Sequence, residues 1–315
     1  LTFDPWRGLV AEQVTVRLPG SDQLSFKADE VRLEIGVAPL FKGHVVIEAL
    51  EFSDSVFSME VPQEGGGTFP LEVSRVNGNF GFDARQTLLI KDLRFQFLNL
   101  LFDVKGSLGT KHDGSKPPHG SRKPLILKKQ WVELLDNWQK VTTSRPLVLD
   151  VGVSGDIRNA ESIDVTVKLR GQDVRYGGLL IQKARGEVRY RNDAVEIDHL
   201  ALETSEGSVD VHGRYAITAR DADLQFSGKI GPRLLSHFLP AEKQKLLKGW
   251  EAAEPLSLNL SAQVSGGRWE EAKASVQLHC GEFSYNKVPF REFRMKAVWE
   301  GGRLNVPELI LTRAE

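Results

Sequence analysis

The sequence predicts a mostly β protein: an elongated, curled antiparallel sheet made of about three copies of a unit of about 110 residues. Two observations carry that expectation. Apolar and polar residues alternate within short segments, as in a strand buried on one face only; Ser162–Arg170 sets Val165, Val167 and Leu169 against Thr166, Lys168 and Arg170. The alternating segments also recur in a fixed order, each group opening on a glycine and an aromatic-ended strand.

In chain order, Val31, Leu33 and Ile35 mark a strand, Ala38–Gly43 a turn closing on glycine, and His44–Phe52 a second strand. The first copy follows with Gly78, Phe80 and Phe82, then Leu88, Ile90, Leu93 and Phe95, then Phe102, Val104 and Gly106. The second answers with Gly186, Val188 and Tyr190, then Val195, Ile197, Leu200 and Leu202, then Val209, Val211 and Gly213. Val195 lies 107 residues after Leu88, and Gly213 lies 107 after Gly106. The third copy offers Ala297, Trp299, Leu304, Val306, Leu309 and Leu311, with Leu304 109 residues after Val195.

The similarity reaches upstream. Pro146, Leu147, Leu149 and Val151 match Pro255, Leu256, Leu258 and Leu260, again 109 residues apart, and Val165, Val167 and Leu169 match Ala274, Val276 and Leu278. Tyr176 matches Tyr285, and Leu134, Leu135 and Trp138 parallel Leu246, Leu247 and Trp250. Each copy changes phase midway, from Ile90 to Leu93, from Ile197 to Leu200 and from Val306 to Leu309. One extra residue at a fixed place predicts a bulge that keeps the apolar side inward, and Pro307 sits in the slip, where a missing N–H is tolerated.

Two helices are expected between strands. Leu127–Val141 carries Trp131, Leu134, Leu135 and Trp138 on one stripe, and Pro232–Trp250 carries Leu234, Leu235, Phe238, Leu246, Leu247 and Trp250, with a break near Pro240. Both stripes read as core packed on the sheet. The resulting division is 1–110 (N-terminal strands and first repeat), 111–126 (a basic Pro/Gly loop), 127–230 (second repeat with its leading helix) and 231–315 (third repeat with its leading helix).

Composition narrows the function. The 315 residues are 41% hydrophobic, enough for a core, and a net charge of −1 leaves no electrostatic footprint for nucleic acid. Cys280 is the only cysteine, which removes any internal disulfide framework or cysteine-rich zinc site. His44, His112, His119, His199, His212, His237 and His279 are scattered without metal-ligand spacing, and His279–Cys280, the one adjacent pair, reads as strand. Gly65-Gly66-Gly67-Thr68 has neither the lysine nor the following helix of a phosphate cradle, and no nucleophile elbow or dinucleotide fingerprint occurs. Neither a catalytic site nor a cofactor is expected.

The segment Val31–Phe52 resembles the N-terminal signature of the AsmA-like superfamily: a strand, a turn closing on glycine (here Leu40-Phe41-Lys42-Gly43), then a strand with Ile47, Leu50 and Phe52. The later blocks, such as Tyr285–Phe290 with Trp299–Leu304 and Pro307–Leu309, are similar to its repeating part. The resemblance implies a segment of an envelope protein of a Gram-negative bacterium, periplasmic and anchored in the inner membrane. It implies binding or conduction of phospholipid along a hydrophobic β-groove between inner and outer membranes. The chain starts at Leu1 rather than Met, and the expected anchor would lie upstream.

On that reading the lipid face is the inward set of each copy. The first supplies Leu88, Ile90, Phe102 and Val104; the second Leu147, Leu149, Val151, Val165, Val167, Leu169, Val188, Tyr190, Val195, Ile197, Val209 and Val211; the third Leu256, Leu258, Leu260, Val276, Leu278, Trp299, Leu304 and Val306. Lys111, Lys116, Arg122, Lys123, Lys128 and Lys129 form a basic segment suited to anionic headgroups. The expected partners are phospholipid acyl chains, the inner membrane and other envelope proteins. The rival reading is a non-catalytic β-scaffold whose large inward side chains (Phe80, Phe82, Phe95, Phe97, Phe102 and Trp299) fill the groove unaided and which binds protein partners.

Overall fold

The computed structural model describes residues 2–4, 8–17, 24–41, 43–62, 68–83, 87–109, 140–157, 159–238, 241–252 and 254–314. It is mostly β, as the alternation predicts, and it separates into two compact units, Leu1–Glu133 with Pro146–Val167, and Leu134–Arg145 with Lys168–Glu315. The basic residues Lys111 to Lys129 and most of the helix expected over Leu127–Val141 lie outside the described residues.

The first unit is a meander. Its strands are β1 (Thr2–Asp4), β2 (Gly8–Arg17), β3 (Leu24–Ile35), β4 (Ile47–Pro62), β5 (Thr68–Phe82), β6 (Thr87–Phe97) and β7 (Leu100–Gly109), each antiparallel to the next. A single helical turn, α1 (Val37–Leu40), joins β3 to β4. After β8 (Val141–Thr143), which belongs to the second unit, β9 (Leu147–Asp156) returns to pair with β7 in parallel. β10 (Asn159–Tyr176) follows, with its residues up to Val167 in the first unit and those from Lys168 in the second.

The second unit pairs β8 with the end of β10 and then runs through β11 (Leu179–Arg191), β12 (Ala194–Thr204), β13 (Gly207–Ala216) and β14 (Asp221–Ile230). Helices α2 (Pro232–Phe238) and α3 (Ala241–Gln244) follow, with a 3₁₀ turn at Lys245–Leu247 and the short β15 (Trp250–Ala252). The sheet resumes with β16 (Leu256–Val264) against β14, β17 (Lys273–Cys280), β18 (Phe283–Tyr285), β19 (Val288–Glu300) and β20 (Arg303–Arg313).

The internal repeat explains the parallel pair. β9 corresponds to β16 and β7 to β13 by sequence offset. β13 and β16 both lie antiparallel to β14, so they run parallel to each other with β14 between them. No counterpart of β14 occurs among the described residues of the first unit, so β7 and β9 meet directly and keep that parallel sense.

The phase slip is a bulge in all three copies. Between β5 and β6, Asn79 pairs with Asp92 but Phe80 pairs with Ile90, leaving Lys91 over. Between β11 and β12, Glu187 pairs with His199 but Val188 pairs with Ile197, leaving Asp198 over. Between β19 and β20, Lys296 pairs with Glu308 and Val298 with Asn305, so Val306 and Pro307 oppose Ala297 alone. The extra residue turns the strand so that apolar side chains stay on one face across it.

Two helix expectations need correction. Val141 lies in β8, paired with Tyr176, rather than at the end of a helix. Trp250 opens β15 opposite Tyr285, and its ring stacks on Phe283 at 5.0 Å, so aromatic packing against the sheet wins over helix continuation. Pro240, where the break is expected, lies outside the described residues.

Candidate functional site

Cross-strand register sorts the second unit into rows of side chains on one face. One row runs Leu202, Val209, Gly228, Leu258, Leu278, Met295, Leu309. The next runs Leu200, Val211, Phe226, Leu260, Val276, Ala297, and the third Ile197, Gly213, Leu224, Ala262, Ala274, Trp299, Leu304. Of the residues expected on the lipid face, Val188 and Tyr190 join these rows opposite Ile197 and Val195.

What covers this face differs along the strands. At one end α2 lies on it: Leu234 (2% exposed) packs with Val209 and Ile230 (1%), and Leu235 reaches both that cluster and a second one of Leu256, Cys280 and Phe283. Burial pushes the Cys280 thiol pKa up, as expected of an inert core cysteine. Away from the helix Leu200, Leu224, Leu260 and Val276 of the same rows are only half-buried, while the short Ala297 among them is buried. Leu304 on β20 is 64% exposed. A side chain flanked by its strand neighbours reaches this intermediate exposure when no second layer stands over it.

The first unit brings together Leu88, Ile90, Phe102, Val104, Leu147, Leu149 and Val151 on one face of β6, β7 and β9. Its rows extend further than the sequence reading reached, through Leu9, Leu33, Leu50, Phe80, Ile90 and Val153, and through Ala11, Val31, Phe52, Leu93 and Val104. Here rings supply the cover. Phe52 lies 5.6 Å from both Phe26 and Phe80, and Phe95 stacks on Phe102 at 4.5 Å. Gly78 makes room: a Cβ there would stand 2.6 Å from the Phe52 ring. Val165, Val167 and Leu169 alternate on β10 and are half-buried.

The opposite face is committed to water. In the first unit Arg32 bridges Glu30 and Glu51, each at 2.9 Å, while Asn79 Nδ2 donates to Glu51 at 2.6 Å. In the second, Arg189 joins Glu187 (3.0 Å) to Asp198 (2.8 Å), Lys183 and Arg185 converge on Glu203, and Lys273 meets Glu300 at 2.6 Å. These cations hold the carboxyls of Glu187, Glu203 and Glu300 below the ordinary glutamate range, and Arg294 does the same to Glu292. Shallow depressions of about 220 and 390 Å³ lie mainly among polar side chains such as Gln225, Ser227, Asn259, Gln277 and Lys296. They therefore lie on the charged side of the sheet.

No family model, curated protein or solved structure matches the chain. The chemistry must come from the face itself. Among the described residues no group of three His, Cys, Asp or Glu side chains is placed to hold a metal, and no helix is long and apolar enough to cross a membrane.

Sequence reasoning missed β14, whose Ala222, Leu224, Phe226 and Ile230 supply the centre of the rows. Its signal was present as strict alternation, but the strand has no copy among the described residues of the first repeat to align with.

Proposed function

We propose that the apolar face of the second unit binds the acyl chains of phospholipid, and that the chain is a non-enzymatic segment of an AsmA-like cell-envelope protein. On this reading it conducts lipid along the sheet between inner and outer membranes, works in the periplasm and is held to the inner membrane in the full-length protein. One observation carries the proposal: rows buried to a few per cent beneath α2 continue across the same strands half-exposed. An apolar sheet face calls for a covering layer, and an acyl chain gains about 0.8 kcal/mol for each methylene it buries there. Ala262, Ala274, Ala297, Gly213 and Gly228 keep the face shallow enough for a chain to lie on.

The test is native mass spectrometry on protein purified without detergent, with uptake from labelled liposomes. Wild type should carry phospholipid, Leu224→Asp/Leu260→Asp should lose it, and Gln277→Asp on the polar face should keep it. A clean apo mass with no uptake refutes the proposal. That result favours the scaffold reading, which the ring-filled face of the first unit (Phe26, Phe52, Phe80) already supports locally.

A further inference from the structure

The turn between β3 and β4 in the first unit displays apolar side chains instead of storing them. Phe41 is 89% exposed, Val45 70% and Val37 67%, and Val46 and Ile47 follow at 43% and 41%. The turn is nonetheless built. Gly36 N–H donates to the Val46 carbonyl (2.8 Å), His44 N–H to Pro39 (3.0 Å) and Phe41 N–H to Val37 (3.4 Å), while Gly43 turns the chain at φ +76°. Residues 36–47 contain no Asp or Glu; their only ionisable side chains are Lys42 and His44.

Among the described residues, the remaining exposed large apolar side chains of this unit gather at the same end of its strands, with Val16 the exception. Phe82 closes β5, and Ile157 (53% exposed) follows β9. β3, β5, β7 and β9 all finish at that end, because the antiparallel meander reverses at each step and β9 runs parallel to β7. Single exposed apolar residues are ordinary, but five within eleven residues on one closed turn are not.

We propose that this turn is a bilayer-contact element, with Phe41, Val37 and Val45 entering the boundary between headgroups and acyl chains. Its polarity favours a membrane over a protein partner. A Cβ on Gly43 would meet nothing within 4 Å, so the tip stands in open space. An apolar protrusion without acids at its tip and with the carboxylates Glu34 and Glu48 at its base matches the polarity gradient of a membrane surface. The inference extends the acyl-binding reading, since a sheet that takes up lipid has to meet a bilayer.

The experiment is flotation of the full chain with phosphatidylcholine vesicles, beside Phe41→Asp/Val45→Asp and the control Val16→Asp/Ile310→Asp, whose side chains are exposed but lie outside the turn and the acyl-binding rows. Burying each of these side chains is worth roughly a factor of ten or more in partitioning, so the turn variant should float at least tenfold less while the control floats like wild type. Both pairs are exposed, and circular dichroism confirms that the variants fold. Phe41→Trp should blue-shift on adding vesicles and be quenched by brominated lipid. Equal flotation of wild type and turn variant, or an unshifted Phe41→Trp spectrum, overturns the proposal. Uptake of a soluble fluorescent fatty acid without vesicles separates the two readings. If the turn variant keeps it, the acyl site stands apart from the turn; if wild type lacks it yet floats, the acyl site fails and the turn survives.

Discussion

The half-covered face makes a quantitative claim about two leucines. Leu234 on α2 is 2% exposed and inserted between Val209 and Ile230, whereas Leu260 on β16 is half-buried in the middle of a row without a helix over it. Truncating a fully buried leucine costs the transfer of its methyl groups plus a cavity term, about 3 kcal/mol for Leu234→Ala. Leu260→Ala removes side-chain surface that is already part-solvated and leaves no enclosed cavity, so about 1 kcal/mol is expected. Cys280 provides the assay, being the only thiol in the chain and buried in the cluster that Leu235 of the same helix packs against. Under native conditions the thiol reacts only through opening of that cap. A loss of about 3 kcal/mol in opening free energy raises the labelling rate roughly 150-fold, against several-fold at most for Leu260→Ala. Urea denaturation followed by circular dichroism gives the global value alongside. If Leu260→Ala proves as costly as Leu234→Ala, the rows are covered in solution and the open face is wrong.

Two further outcomes follow from the packing. Glu187, Glu203, Glu292 and Glu300 are all held below their ordinary pKa by hydrogen-bonded cations. The unfolded chain therefore takes up protons first as pH falls; stability is full above the ordinary glutamate pKa and declines as pH drops through the depressed folded values, and melting temperatures from pH 7 down to about 3 should show it, less steeply at high salt. The second concerns a close strand approach: a Cβ on Gly228 would stand 2.4 Å from the Ser208 carbonyl oxygen, whereas one on Gly152 meets nothing nearer than 4.0 Å. Gly228→Ala should cost about 1–3 kcal/mol in urea denaturation and Gly152→Ala well under 1 kcal/mol; equal costs would contradict the register of β13 with β14.

Much of this was legible because period-two alternation encodes a face directly. That Leu149 and Phe102, or Leu258 and Leu278, present their side chains to one face follows once each segment is recognised as a strand facing one way. The bulge was legible too, since a one-residue slip repeated at Ile90–Leu93 and Ile197–Leu200 has no other economical meaning. Neighbour relations were not. Alternation says nothing about which strand lies beside which, so the parallel contact of β7 with β9 and the insertion of β14 between β13 and β16 had no sequence signal of their own. Trp250 failed for a different reason. Its place at the end of a helical stripe was real in the pattern, but stacking on Phe283 at 5.0 Å and edge contact with Phe293 at 6.3 Å decide its position through residues more than thirty positions away.

The same apolar face is satisfied in two ways, and the difference lies in side-chain volume. In the first unit Phe26, Phe52 and Phe80 lay their rings across the strands, with Gly78 lowered beneath them, so the face carries much of its own cover. In the second unit the equivalent cover is a helix, and it stops after one end of the rows; beyond it the face falls to Ala262, Ala274 and Ala297, whose side chains are too short to shield their neighbours. The charged ladders on the other face bar a flip of register as the way out, since reversing a strand such as β12 would put Glu196 and Asp198 among the apolar rows and tear them from Arg214 and Arg189. On the proposed reading, a sheet held in that orientation, with part of a face uncovered, is completed from outside by a partner that is long, flexible and apolar without needing directional contacts.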